Sequence, residues 1–224
     1  GLAENSKMAE ELGFSALWGA ENAHDGFLPL ALVITHSRHL EIGTKVAIAF
    51  SRTPMSLAYI AWDLQKLSEG RLILGLGSQV KGHIERRFNM PWGSPAPRMK
   101  EVVQALRAIW DCWQNRAPLD FKGRFYQFTL MPANYAPQSI EHPHIPIYIS
   151  AVNKHMCRVV GEVCDGVHVH PFHTLRYVRE VMVPEITLGA SRAGRSLQDI
   201  TLCLSPILAM GKTKAELEVA REGV

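Results

Sequence analysis

A carboxylate, an amide and an imidazole lie close together in residues 21–24 (ENAH), directly after an apolar stretch that predicts a strand. A carboxylate and an imidazole can take up and release protons, whereas an amide can only donate and accept hydrogen bonds. Glu21 and His24 are therefore candidates for proton transfer, and Asn22 is a candidate for orienting a ligand. The alternatives are a structural ion pair or cap for Glu21 and a solvated loop position for His24.

A glycine-rich strand is predicted at 71–77 (RLILGLG), where an apolar run is typical of a strand covered on both faces. Gly75 and Gly77 allow close approach of the backbone either to a ligand or to neighbouring strands in a narrow barrel. Both glycines lie near the carboxyl end of the strand, where ligands bind to parallel sheets. The second glycine is therefore a candidate for ligand contact.

Two polar residues, Ser78 and Gln79, follow this strand and predict a loop that faces a ligand. The amide of Gln79 can both donate to and accept from the polar edge of a ring. A dinucleotide-binding fingerprint is disfavoured, because Val80 occupies the position of its third glycine.

A second polar cluster joins a predicted strand to a predicted helix. Free backbone amides at a helix N-terminus bind phosphate, and a hydroxyl, an amide and an ammonium group assist. Ordinary N-capping by the serine or the asparagine is the alternative. The residues of this cluster are Ser150, Ala151, Val152, Asn153 and Lys154.

Two histidines, His168 and His170, have the spacing that places side chains on one face of a strand. A metal site is disfavoured, since no carboxylate pair or cysteine near them completes a ligand set of three or four. His170 lies nearer the carboxyl end of the strand, so we expect it to face a substrate or a cofactor.

These residues belong to an alternating series of strands and helices. The predicted strands are 14–20, 40–50, 71–77, 146–151, 166–171 and 200–210. The predicted helices are 2–12, 29–38, 54–67, 99–113, 154–164, 174–188 and a last one that begins at the capping box Thr213–Glu216. A polar loop is predicted between 78 and 98, and a hairpin with its turn at Lys122-Gly123 is predicted at 121–128.

Strict alternation predicts parallel strands joined by helical crossovers. Either an open doubly wound sheet or a (β/α)8 barrel satisfies this order, and a barrel needs eight strands. Since the chain begins on a helix and ends inside one, we interpret 1–224 as a single domain that lacks a first and a last strand. The irregular stretch 117–145 is interpreted as an insertion in this domain.

Composition excludes several classes of protein. Of the 224 residues, 20% are charged, and the net charge of +3 is too small and too dispersed for a nucleic-acid-binding surface. No apolar run is long enough to cross a membrane. The four cysteines lack the spacing of a redox or zinc motif, so we expect reduced thiols and a cytoplasmic protein.

Several motifs, in chain order, resemble the bacterial luciferase-like family of flavin- and deazaflavin-dependent oxidoreductases. The most specific is LSxGRxxLGLG at 67–77. The resemblance extends over nearly the whole chain, and the segment 77–101 is closest to the oxidoreductases that use coenzyme F420. The other matching segments are AEELGF at 9–14, RTP at 52–54 and GExxDG at 161–166.

The resemblance implies a (β/α)8 TIM barrel with its cofactor across the carboxyl ends of the strands. It implies a ring beside Val46 and Ala47, where many relatives carry a bulge and often a non-proline cis peptide. It further implies ring contacts from 77–79 and a phosphate bound by 150–154. F420-dependent relatives usually carry a histidine for acid–base chemistry where this chain has Asn22.

The implied function is hydride transfer between F420 and a small organic substrate. An FMN-dependent monooxygenase shares the same motifs and stays open as an alternative. A third hypothesis is a barrel that binds cofactor without catalysis. Asn22 favours it, because an amide cannot replace an imidazole in proton transfer. We expect the full-length protein to be a homodimer that binds neither nucleic acid nor membrane.

Overall fold

The computed structural model describes residues 1–223, which form a curled parallel β-sheet covered by helices, as in part of a (β/α)8 barrel. Neighbours in the sheet follow chain order, which confirms the predicted parallel arrangement. Its strands are β1 (Ala16–Gly19), β2 (Glu41–Thr44), β3 (Ala47–Ile48), β4 (Leu72–Gly77), β7 (Ile147–Ala151), β8 (Gly166–Val169) and β9 (Thr201–Cys203), and a separate hairpin contains β5 (Phe121–Lys122) and β6 (Gln127–Phe128).

Helices lie between the strands, and most of them begin where the sequence predicts. The helices are α1 (Leu2–Glu11), α2 (Leu28–His36), α3 (Pro54–Leu67), α4 (Lys81–Arg86), α5 (Pro95–Asn115), α6 (Lys154–Val163), α7 (Leu175–Tyr177), α8 (Val183–Arg192) and α9 (Lys214–Glu222). Thr53 caps α3 through its hydroxyl, and Pro54 stands in the first turn, where its missing N–H leaves no bond unmade. No helix within 1–223 is both long and apolar enough to cross a membrane.

Several elements differ from the sequence prediction. The last strand ends at Cys203 instead of 210, because its partner β8 ends at Val169 and Pro206 has no N–H to donate. The predicted polar loop at 78–98 contains α4, which a single fully buried residue, Ile84, anchors in the core.

The hairpin turn was predicted at Lys122-Gly123, but Lys122 pairs with Gln127 in the ladder, so 123–126 form the connection. The cause is a tertiary contact. The carboxylate of Glu101 on α5 accepts hydrogen bonds from the backbone N–H groups of 124, 125 and 126, at 2.7 to 3.3 Å.

The core lies between the sheet and the helices, and aromatic residues make its largest contacts. Trp113 is fully buried against Trp62, with ring centroids 5.6 Å apart, and Trp110 donates its indole N–H to the carbonyl of Ala58. The two α5 tryptophans are therefore core residues.

A β-bulge separates β2 from β3, which both pair with β4. Gly43 pairs with Ile73 on β4, whereas Ala47 pairs with Leu76, so one extra residue is inserted on the β2–β3 side. The peptide bond between Lys45 and Val46 within the bulge is cis.

The side chain of Thr44 replaces the ladder hydrogen bonds that the bulge interrupts. Its hydroxyl donates to the carbonyl oxygen of Gly75 at 2.6 Å and accepts from the N–H of Gly75 at 3.0 Å. Thr44 is completely buried, so both backbone groups of Gly75 depend on this one side chain. Gly75 itself has no room for a side chain, because a Cβ there would lie 1.7 Å from the Thr44 carbonyl oxygen.

Gly75 also makes space for His168, an imidazole inside the barrel. A Cβ on Gly75 would lie 2.7 Å from Nε2 of His168. The ring stands edge-on to Trp18, with centroids 4.8 Å apart, and neither of its nitrogens is hydrogen-bonded within residues 1–223. Gly75 therefore relieves packing, the second of the two roles considered for it.

The environment of His168 keeps the imidazole neutral. The residue is only 2% exposed. Burial, and then the positive charge of Lys45, lower the pKa of His168 to about 4, against a weaker opposing effect of the Thr44 backbone.

We predict that replacing Thr44 by valine lowers the free energy of unfolding by about 3 kcal/mol, since two buried backbone groups lose their partner at roughly 1–3 kcal/mol each. Thr44→Ser keeps the hydroxyl and should cost only about 1 kcal/mol, for the lost methyl group. Urea unfolding measures both, with Thr187→Val on an exposed helix position as the control. Equal losses for the valine and serine variants would contradict the role of the hydroxyl.

A second prediction concerns His168 and pH. Since its native pKa lies below the value in the unfolded chain, the unfolded state alone binds a proton as the pH falls from about 6.5 to about 4. Acidification through this window should cost about 3 kcal/mol of unfolding free energy. His168→Phe should remove that part of the pH dependence in urea titrations, whereas His155→Gln, at an exposed position, should retain it. Parallel profiles for wild type and His168→Phe would show that another group is responsible.

Candidate functional site

A cavity of about 390 Å³ opens at the carboxyl ends of the parallel strands. This volume lies within the range of small-molecule and cofactor sites. Ten of the fourteen residues predicted for the site line it, which brings five separate segments of the sequence together. These ten are Glu21, Asn22, Val46, Gly77, Ser78, Gln79, Ser150, Val152, Asn153 and His170.

Four predicted residues lie outside the cavity. Ala47 and Ala151 are buried in the wall, because both return to regular strand pairing, with Leu76 and Val169 respectively. His24 is an exposed loop residue. Lys154 is exposed on the first turn of α6, with its ammonium 4.0 Å from a carboxylate oxygen of Glu185.

Five residues that the prediction omitted also line the cavity: Ala20, Lys45, Ile48, Val80 and Met156. The sequence could have indicated Lys45, because it is the one charged residue in the otherwise apolar or neutral run 42–50. Met156 had none, because it reaches the cavity only through the way α6 packs on the sheet.

The carboxylate of Glu21 is held in place at the cavity wall. Its Oε2 accepts from the backbone N–H of Ile48 at 2.7 Å and from Nη1 of Arg52 at 2.8 Å. The Glu21 side chain is only 7% exposed, and the burial of a carboxylate is unfavourable unless it is paired and hydrogen-bonded, as it is here. Glu21 thus ties the end of β1 to the turn after β3, and a role in proton transfer stays a prediction.

Arg52 serves two carboxylates. Its Nη2 lies 2.9 Å from Oδ2 of Asp25, while Nη1 bonds Glu21. Burial works against the charge, but the hydrogen bonds and charges of both carboxylates raise the pKa of Arg52, which stays protonated. Although burial opposes it, the backbone N–H groups of Leu28 and Phe27 and the guanidinium lower the pKa of Asp25.

Asn22 follows Glu21 on the cavity wall. The backbone carbonyl oxygen of Asn22 accepts a hydrogen bond from Nη2 of Arg87 at 3.0 Å. This bond links the loop after β1 to the end of α4. The carboxamide of Asn22 makes no hydrogen bond with other residues of 1–223, so it is available to a ligand.

The exit of β4 forms another wall. A Cβ on Gly77 would lie 2.6 Å from Cγ2 of Val46, so the glycine lets the bulge residue occupy the cavity floor. Gln79 has a left-handed backbone (φ 56°), and its Oε1 accepts from the N–H of Val80 at 2.9 Å. Oε1 of Gln79 keeps a second lone pair and its NH2 group has no partner within residues 1–223, so the expected two-way bonding to a ligand stays a prediction.

The N-terminus of α6 forms the polar end of the cavity. Asn153 is its N-cap, and Oδ1 accepts from the N–H of Met156 at 3.0 Å, so the capping alternative is the one observed for this atom. The first N–H groups of the helix have no intrahelical partner and are typical anion ligands. Ser150 adds a hydroxyl beside them.

These features fit a planar cofactor with a phosphate. The cavity floor is formed by backbone and small side chains near Gly77 and Val46, and helix amides lie at one end. We find no group of three or more His, Cys, Asp or Glu residues arranged for a metal ion within 1–223.

Comparisons with known proteins agree with this arrangement. A family model described as luciferase-like monooxygenase matches residues 2–222. An uncharacterized protein of Mycobacterium tuberculosis is 45% identical over 218 residues, which are 97% of this chain and 64% of the relative. A putative coenzyme F420-dependent oxidoreductase of the same organism is 30% identical over 173 residues, which are 73% of this chain and 49% of the relative. The chain thus spans less than two thirds of either relative.

A solved structure supports the fold. The coenzyme F420-dependent tetrahydromethanopterin reductase of Methanopyrus kandleri superposes with a TM-score of 0.79 at 24% identity, over 96% of this chain and 64% of that one. The family model covers nearly every residue of the chain. The parallel sheet, its bulge and the cavity at the strand ends lie within the matched residues. The chain therefore belongs to the luciferase-like monooxygenase family.

Proposed function

We propose that the protein is an oxidoreductase that transfers a hydride between coenzyme F420 and a small organic substrate. The observation that carries this proposal is the convergence of the bulge, the β4 exit and the α6 N-terminus on one cavity. The 30% identical relative, described as a putative coenzyme F420-dependent oxidoreductase, supports the choice of cofactor.

F420 supplies the hydride chemistry when bound, and the protein supplies position and charge. We assign the floor under the ring to Val46 and Gly77, and the polar edge to Ser78 and Gln79. The α6 N-terminus with Ser150 would hold the phosphate, while Lys154 would add positive charge from outside the cavity. These assignments follow from the cavity lining and from the chemistry of each donor.

Residues after β1 are assigned to the substrate side. Asn22 presents an unbonded carboxamide to the cavity, which suits it to bind a substrate oxygen without proton transfer. Glu21 is the remaining acid–base candidate within the cavity, because His24 lies outside it. Its bond to Arg52 keeps the carboxylate close to the cavity wall in one orientation.

A second candidate is an FMN-dependent monooxygenase that uses reduced flavin and oxygen. The description of the matching family model favours it, and the same cavity residues would serve either ring.

We also propose that the full-length protein is a cytoplasmic homodimer. The four free thiols suit a reducing compartment, and size-exclusion chromatography with light scattering tests the dimer.

We predict that the purified full-length protein binds F420 in preference to FMN. Titration with each cofactor, followed by absorbance and fluorescence, separates the violet-absorbing deazaflavin from the two-band flavin spectrum. Tight stoichiometric FMN binding without affinity for F420 would replace the first candidate with the second. Binding of F420 without turnover on any tested substrate would favour a binding protein.

A matched pair of variants tests the role of Glu21. Glu21→Gln should lower kcat about 100-fold, as expected for loss of a general acid or base. Asp25→Asn removes the other carboxylate on Arg52, outside the cavity, and should leave kcat within about threefold, since an amide oxygen can still accept from the N–H groups of Phe27 and Leu28 and Arg52 keeps its bond to Glu21. Similar modest effects of both variants would show that Glu21 only anchors Arg52.

A further inference from the structure

Lys45 is a half-buried cation that lines the cavity without an acidic partner. Its Nζ lies 3.5 Å from Sγ of Cys203 on β9 and 5.8 Å from the ring centroid of Trp18 on β1. Neither of these two residues lines the cavity, so the Lys45 side chain runs from the cavity wall toward the barrel interior, between β1 and β9. No carboxylate lies within salt-bridge distance of Lys45 in residues 1–223.

Within residues 1–223, no acidic group compensates the charge of Lys45. Glu21, the acidic residue of the cavity wall, is already paired with Arg52. On β8, His168 is neutral near pH 7, and the charge of Lys45 contributes to that state. Tyr148 on β7 packs against His168 and is also uncharged there, because burial raises its pKa. His170, at the rim, is exposed.

A partly desolvated ammonium without a counter-ion is unfavourable, so a ligand that brings negative charge close to the Lys45 ammonium is stabilised. The two candidate cofactors differ in this respect. The deazaflavin ring of F420 carries an acidic hydroxyl group conjugated with its pyrimidine oxygens, so the deprotonated ring is a delocalised anion. The oxidised isoalloxazine ring of FMN has no such hydroxyl and stays neutral near pH 7.

We propose that Lys45 is a specificity-determining residue that selects the anionic deazaflavin ring of F420 over the neutral ring of FMN. This inference rests on the proposed function, because it places a ring cofactor in the cavity. It goes beyond that function by naming the residue and the charge state that decide between two cofactors of one fold.

The test uses the full-length protein and two probes, F420 and FMN. Lys45→Met should weaken F420 binding about tenfold at pH 7, equivalent to about 1.4 kcal/mol, and leave FMN binding within about twofold. Lys45→Arg keeps the charge and should retain the preference for F420. Lys7→Met, at an exposed position on α1, controls for a general change in net charge.

A spectroscopic readout is independent of affinity. The absorbance of F420 reports ionisation of its ring hydroxyl. In wild type, the midpoint pH of this ionisation should fall by about one unit on binding, and Lys45→Met should return it to or above the value of free F420. His170, which also lines the cavity, is the same in both variants, so the difference between the methionine and arginine variants isolates Lys45.

The outcomes separate this inference from the proposed function. If wild type binds neither cofactor, or FMN alone, the proposed function fails and the inference fails with it. If wild type binds F420 but its hydroxyl ionises as in free solution, or if Lys45→Met weakens F420 and FMN equally, only the inference is overturned. Should Lys45→Met fold poorly, the wild-type ionisation and the arginine variant still decide.

Discussion

The clamp between the Thr44 hydroxyl and both backbone groups of Gly75 is the interaction on which the site depends. It compensates for the ladder bonds lost where one extra residue enters the β2–β3 line. Without it, two buried backbone groups would lack partners, a situation that folded proteins avoid. Because the clamp is internal to the sheet, the bulge can turn Lys45 and Val46 toward the cavity while Ala47 returns to regular pairing.

The same clamp explains the interior of the barrel. Gly75 has no side chain because the Thr44 carbonyl occupies that space, and the ring of His168 lies in the remaining room. Charged side chains also lie at the cavity. Arg52 compensates Glu21 and Asp25, whereas Lys45 has no acidic partner within residues 1–223 and contributes to keeping His168 neutral. The cavity lining therefore contains one fixed carboxylate that is paired and, within the described residues, one cation that is not.

Much of the site was predictable because it follows from periodicity and strand order. In a parallel sheet, residues just after successive strands meet at one edge, so Asn22, Gly77 and His170 were expected together. What the sequence did not reveal was which of these residues line the cavity. Ala47 and Ala151 sit in regular ladder positions facing the wall, and Lys154 turns outward on α6. Local spacing does not reveal such directions where a bulge or cap intervenes.

The sequence by itself determined the parallel alternation, the family resemblance and the strand ends that carry polar residues, since these depend on local patterns of apolar and glycine residues. Only the tertiary structure decided which partner each polar group obtains. The pairing of Glu21 with Arg52 and the surroundings of Lys45 depend on residues distant in the chain. Electrostatic character is a property of those packed neighbours, and no single segment contains it.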